Sequence, residues 1–281
     1  MVFRARAQTR VQIDESTRPD GPFFREAGAG PGVVCLHASA STSSQWRPMM
    51  EAFASRYHVL AADLLGAGNT PAWRADRAFT LHDEVALLEP VFARAGDPHA
   101  LVAHSYGAAV ALVAAVAHPQ RVRALALYEP TLFALLDAES PPPNDADCFR
   151  QALDEAAASL DACDPDRAAQ RFVDYWAGPG AWMRTLEARK QAIVASIANL
   201  REWASAVLDD STPLAAFSRL DIPVLYMMGK DSPPSSRSLG RLLTSVLPRV
   251  QLVEYEGIGH MGPITHATVV NATILRFLER C

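Results

Sequence analysis

Leu101-Val102-Ala103-His104-Ser105-Tyr106-Gly107-Ala108 is the stretch whose reading decides the fold. A short apolar run ends at Ser105, and a run of small, helix-forming residues over 106–117 begins directly after it, with no loop between. A strand that turns straight into a helix carries the residue between them at the tip of a tight turn, and a serine held there is a candidate nucleophile. The start of the helix behind it favours developing negative charge. Gly107 stands two residues after the serine and Ala103 two before it, and alanine is small enough for the turn.

Working outward, five further apolar runs alternate with longer helical patterns. The strand readings cover 32–36, 57–62, 100–103, 122–128, 222–228 and 250–255. The helix readings cover 44–55, 80–95, 106–117, 237–247 and 266–279. Continuous apolar runs suit strands buried on both faces, and β-α alternation predicts an α/β, mostly parallel, doubly wound sheet. Ligands in such sheets bind beyond the carboxyl ends of the strands, where His37, Asp63, Ser105, Glu129 and His260 fall. Residues 131–218 break the rhythm: no strand is convincing, and helical patterns run over 145–163, 165–177 and 181–207. The expected organisation is a core of residues 1–130 and 219–281 with a helical cap, 131–218, inserted between two core strands.

A serine hydroxyl becomes nucleophilic only beside a base, and a base needs an orienting group. His260, in Gly257-Ile258-Gly259-His260, follows the last strand and precedes the last helix, so its loop can reach a neighbouring strand end. Two carboxylates compete as the orienting acid. Glu129 follows the strand over 122–128, and Asp231 follows the strand over 222–228; the two stand close to even, with Glu129 slightly ahead. Backbone N–H groups at Ser39 and at Tyr106 are the candidate oxyanion donors, and the His37 ring is read chiefly as a brace for its loop, with a share in the pocket.

Composition bounds the alternatives. Asp and Glu (31) outnumber Lys and Arg (26), and no basic cluster interrupts the average, which disfavours nucleic acid or an anionic membrane as partner. Residues 1–10 lack the apolar run of a secretory signal, and the longest apolar run, 108–117, is half a membrane span, so a cytoplasmic protein is expected. Cys35, Cys148, Cys163 and Cys281 form no CxxC pair, which argues against a disulfide framework or a zinc site. A homodimer is left open.

The chain resembles the serine hydrolases of the α/β-hydrolase superfamily over nearly its whole length. The resemblance rests on the His37-Ala38 loop, Trp46, Asp63-Leu64-Leu65-Gly66-Ala67-Gly68, the Ser105 turn, the helical cap and Gly259-His260. His37-Ala38 departs from the family's His-Gly. The order serine, acid, histidine is also the family's. Some haloalkane dehalogenases of the superfamily carry their acid at the strand end where Glu129 stands, and dehalogenases carry Asp where this chain has Ser105. The resemblance implies acyl chemistry through Ser105 and His260, with no metal and no organic cofactor.

The cap supplies the expectation for substrate. Phe133, Phe172, Tyr175, Trp176, Trp182 and Met183 suggest an apolar pocket, to which Phe133, Trp176 and Trp182 are assigned with His37. Arg184, Arg189 and Lys190 fall at helical spacing and are read as solvated. The leading expectation is therefore a carboxylesterase-like hydrolase for a small to medium, mostly apolar, neutral ester. Carbon–carbon bond or lactone hydrolysis, or cofactor-free perhydrolysis, is the alternative on the same site, and a non-catalytic ligand receptor is the reading from another class.

Overall fold

The computed structural model describes residues 11–16, 21–74 and 76–281. The reading of residues 1–10 as lacking a secretory signal lies outside them. Among the described residues, eight strands form one sheet: β1 (Asp14–Ser16), β2 (Phe24–Ala27), β3 (Gly32–Leu36), β4 (His58–Ala62), β5 (His99–His104), β6 (Val122–Tyr128), β7 (Val224–Gly229) and β8 (Val250–Tyr255). The spatial order is β1-β2-β4-β3-β5-β6-β7-β8. From β4 to β8 every pairing is parallel, while β1 with β2 and β2 with β4 run antiparallel. This is the mostly parallel α/β sheet expected of the apolar runs.

Every residue of β3, β5 and β7 is buried, as continuous apolar strands covered on both faces require. Helices α1 (Arg47–Phe53), α2 (Leu81–Ala95) and α3 (Tyr106–Ala117) connect β3 through β6. Two differences from the sequence reading have clear causes. The short β1 and β2 carry no apolar run; β2 forms by pairing onto β4, and β1 by pairing onto β2. At the other edge β8 has one open side, and Gln251, Leu252 and Glu254 are exposed rather than buried on both faces.

Between β6 and β7 the chain is helical: α4 (Ala134–Glu139), α5 (Asp147–Asp161), α6 (Pro165–Ala177), α7 (Ala181–Arg184), α8 (Glu187–Ser196), α9 (Leu200–Leu208) and α10 (Leu214–Phe217). The stretch read as one helix over 181–207 is three, because Thr185 and Leu186 take extended backbone angles and a 3₁₀ turn, Ile197–Asn199, separates α8 from α9. α6 starts on a sound cap: the Asp164 side chain accepts from the Arg167 N–H at 3.0 Å, and Pro165 needs no donor partner. Its buried stripe, Ala168, Ala169, Phe172 and Trp176, follows helical spacing and turns toward the carboxyl ends of the strands. After β7 come α11 (Pro234–Val246), then β8, α12 (Gly262–Thr265) and α13 (Ala267–Leu278). The Tyr175 and Ser235 hydroxyls, 2.7 Å apart, tie α6 to α11.

Candidate active site

Ser105 occupies the junction of β5 and α3 with φ 57° and ψ −119°. That left-handed backbone costs a non-glycine residue roughly 1–3 kcal/mol and persists only where surrounding structure enforces it. The enforcement is visible. The Ser105 N–H donates to the Tyr128 carbonyl at 2.9 Å, extending the β5–β6 ladder by one residue. On the helix side, the Gly107 N–H donates to the His37 carbonyl at 3.1 Å. A Cβ at Gly107 would lie 2.5 Å from that carbonyl oxygen, so only glycine lets the loop after β3 rest on the first turn of α3. Ala103, 1% exposed, fits at the other flank.

Three side chains meet beside this turn. Ser105 Oγ lies 2.9 Å from His260 Nε2, and His260 Nδ1 lies 2.6 Å from Glu129 Oε2. All three residues are at most 2% exposed. The neighbours settle the tautomer: Nδ1–H donates to the carboxylate, leaving Nε2 to accept from the serine hydroxyl. The other Glu129 oxygen, Oε1, accepts from the Gly229 N–H at 2.7 Å and from the Ser232 hydroxyl at 2.5 Å. The buried carboxylate thus has donors at both oxygens, which is what a charge without water requires.

Of the two acids that the sequence left open, the structure brings Glu129 to His260 and not Asp231. β6 lies next to β5, so Glu129 enters one strand away from Ser105, while β7 is two strands away. Asp231 is exposed; its N–H donates to the Ile258 carbonyl at 3.1 Å, and the Nδ1 edge that its carboxylate would need is filled. Its candidacy as the acid is corrected on that ground.

The loop carrying His260 is pinned by two side chains of neighbouring strands. The Tyr128 hydroxyl donates to the Gly259 carbonyl at 2.9 Å, and His104 Nε2–H donates to the His260 carbonyl at 2.8 Å. Gln45 donates its amide to His104 Nδ1 at 3.2 Å. Burial, and secondarily the nearby His260 ring, hold the His104 imidazole well below its ordinary pKa, so it serves as a neutral brace. The sequence expected His104 to be structural; its grip on the His260 backbone was not foreseen.

Tyr106 is the first residue of α3, so its N–H has no acceptor within the helix. Its phenol is buried and donates to Glu84 Oε2 at 3.1 Å, while Glu84 Oε1 accepts from the Leu65 N–H at 2.8 Å. Burial pushes the Glu84 carboxyl up to about 7, and its two hydrogen bonds offset part of that rise. Sequence reasoning missed Glu84, which sits inside an ordinary amphipathic pattern. Its position one residue after the Thr80–Asp83 capping pair is the only local signal.

A cavity of about 370 Å³ opens over Ser105 and His260. Ser39, Phe172, Trp176, Leu186, Ile193 and Met261 are among its lining residues. Three of the four side chains assigned to it stand elsewhere. The His37 ring is spent on backbone, donating from Nδ1 to the Ala38 carbonyl at 2.7 Å and accepting from the Leu64 N–H at Nε2, 3.0 Å. Phe133 is fully buried behind Trp176, in contact with Phe149. Trp182 packs inside the cap on Ala169 and Ile193. Trp176 alone of the four lines the cavity. Conversely, Arg184 and Arg189, read as merely solvated, line it too, and no Asp or Glu does. Among the described residues, no group of three or more His, Cys, Asp or Glu is placed to hold a metal ion, and no helix is long and apolar enough to cross a membrane. All four cysteines are unpaired.

The family model of the alpha/beta hydrolase fold matches residues 31–267, and the chain belongs to that family. Among curated proteins, it is 33% identical over 108 residues to a haloalkane dehalogenase of Agrobacterium fabrum, covering 38% of this chain and 35% of that protein. It is 32% identical over 156 residues to the lipase LipV of Mycobacterium tuberculosis, covering 54% of each. The chain thus spans about a third to a half of these relatives. A hydrolase of (E)-2-((N-methylformamido)methylene)succinate from Acinetobacter baylyi matches at 22% identity over 91% of this chain and 93% of its own length. Among solved structures, the 2-hydroxy-6-oxo-6-phenylhexa-2,4-dienoate hydrolase of Rhodococcus sp. strain RHA1 superposes with a TM-score of 0.74 at 21% identity, covering 96% of this chain and 99% of that one. The family model and the solved structure agree on the fold.

Proposed function

We propose that the protein is a serine hydrolase acting through an acyl-enzyme, with Ser105 as nucleophile, His260 as general base and acid, and Glu129 as the orienting carboxylate. The observation that carries this reading is the unbroken hydrogen-bond chain from Ser105 Oγ through His260 to Glu129 in a buried turn. Ser105 Oγ attacks the substrate carbonyl carbon while its proton passes to His260 Nε2. Glu129, already bound at Nδ1, stabilises the imidazolium. The oxygen of the tetrahedral intermediate faces the N–H groups of Tyr106 and Ser39. Collapse breaks the bond to the leaving group, which takes the proton from Nε2. Water then repeats the sequence on the acyl-serine and releases the acid. Hydrolysis of p-nitrophenyl acetate and butyrate tests this, with Ser105→Ala expected to be silent and fluorophosphonate expected to label wild type only. A wild type inert to both would favour a receptor that uses the pocket without turnover.

The apolar lining agrees with a small to medium ester as substrate. A second reading is supported by Arg184 and Arg189, which line the cavity with no acidic residue beside them in its wall. A guanidinium facing an acid-free cavity suits a carboxylate on the substrate. Two similar proteins noted above are named for substrates that carry carboxylates, a dienoate and a succinate. On this reading the substrate presents a reactive carbonyl to Ser105 and an acidic group to the cap, and cleavage of a carbon–carbon or carbon–nitrogen bond joins ester cleavage as a candidate reaction.

A further inference from the structure

The indole of Trp176 lies flat on the ring of His260, with centroids 3.9 Å apart and planes 25° apart. Trp176 stands one residue from the end of α6, in the cap, whereas His260 follows β8 of the core. Four aromatic side chains fix the indole: Phe133 stacked behind it, Phe149 and Phe172 against it, and Tyr175 edge-on at 4.8 Å. Trp176 also stands between two cavities that both reach His260. One is the apolar cavity over Ser105; the other, of about 730 Å³, is lined by Asp174, Asp231 and Ser232 and does not reach Ser105.

We propose that Trp176 is a positioning residue of the site: its indole face holds the imidazole of His260 in line between Ser105 and Glu129 and stabilises the imidazolium that forms when Ser105 loses its proton. The proposal rests on the serine-hydrolase reading above. The physical basis is the negative face of the indole, which attracts a cation set over it and does so more strongly when water is excluded. A ring pinned only at its two nitrogens can still tilt about the line joining Ser105 to Glu129, and a flat partner removes that freedom. The charged and titratable groups around His260 are Glu129 from β6, the neutral His104 from β5, and Asp174, Asp231, Arg184 and Arg189 at the cavity walls. None of these covers the ring face that Trp176 covers.

The test separates the stack from the reaction. In Ser105→Ala, tryptophan emission is measured from pH 8 down to pH 5. A protonated imidazole in contact with an indole quenches it, so a titrating fraction of the emission is expected. That fraction should vanish in Ser105→Ala/Trp176→Phe, a variant that keeps an aromatic ring in the cluster, and in Ser105→Ala/His260→Gln. In the active background, Trp176→Leu should lower kcat about tenfold and move the acid limb of kcat/KM toward lower pH by up to about one unit, while Trp176→Phe recovers most of both. Emission that titrates unchanged without Trp176, or an unmoved acid limb in a folded Trp176→Leu, overturns the role of Trp176. Wild type that neither hydrolyses esters nor reacts with fluorophosphonate overturns the hydrolase reading, and this proposal with it. Labelling by fluorophosphonate with no titrating emission overturns the role of Trp176 alone.

Discussion

Glu129 Oε2 lies 2.6 Å from His260 Nδ1, with neither side chain more than 1% exposed, so the histidine has a partner that water cannot replace. Replacing Glu129 by Gln keeps the shape and removes the charge. The expected result is a fall in kcat for p-nitrophenyl butyrate of about 10³–10⁴, the scale for loss of the acid in such a triad. Asp231→Asn should stay within about twofold of wild type. A large loss in Asp231→Asn with a mild one in Glu129→Gln would reverse the assignment.

Ser232 supports that carboxylate from the other side, donating to Oε1 at 2.5 Å within a buried environment. Ser232→Ala removes one of two donors to this oxygen and leaves Gly229 N–H alone. A loss of roughly 1–3 kcal/mol of stability is expected, read as a lower urea midpoint, because a buried charged acceptor is left under-satisfied. Unaltered stability would mean that water replaces the hydroxyl at Oε1.

Glu84 gives a pH signature independent of catalysis. Burial raises its carboxyl from 4.5 to about 7, so the folded chain binds a proton more tightly than the unfolded one. The sign follows: that contribution to stability is fully present below about pH 4.5 and is lost as pH rises through about 7. Glu84→Gln keeps an acceptor for Leu65 N–H and cannot ionise. Relative to wild type, the variant should therefore gain stability between pH 5 and 8, by up to ~3 kcal/mol. Parallel urea midpoints for the two proteins across that range would refute it.

The cap arginines distinguish the two substrate readings. If the substrate is anionic, Arg184→Gln and Arg189→Gln should raise KM for a carboxylated ester such as a p-nitrophenyl hemisuccinate by about tenfold, with the neutral butyrate within twofold. Equal effects on both esters would return the pocket to neutral substrates.

Much of this site was legible because strand ends are conspicuous. The apolar runs of β3, β5 and β6 stop at polar residues; Ser105 stands at one such stop, and His260 lies in the loop that follows β8. Glu129 stood at another and Asp231 followed β7, and nothing local tells which strand lies beside β5; that is a fact of the sheet order, settled by long-range packing. The cap aromatics show the same limit. Phe133, Trp176 and Trp182 are alike in composition, yet which one faces the cavity depends on helix rotation and on where α7 ends at Thr185. Arg184 and Arg189 are exposed, as their spacing predicts, but spacing on a helix does not reveal that their outer face overhangs the cavity. Strands β1 and β2 were invisible because they are short and carry no apolar run: β2 is held by pairing with β4, and β1 by pairing with β2.

The left-handed backbone of Ser105 also restricts how the site can be rebuilt. Residues branched at Cβ are true outliers at φ near 57°, whereas an unbranched side chain is what this turn already holds. A threonine hydroxyl is therefore barred from this turn by backbone sterics, whatever its chemistry. A thiol or a carboxylate is not. Reprogramming of the reaction at position 105 is open to cysteine and aspartate, and the conformation of one residue sets that repertoire before any question of reactivity arises.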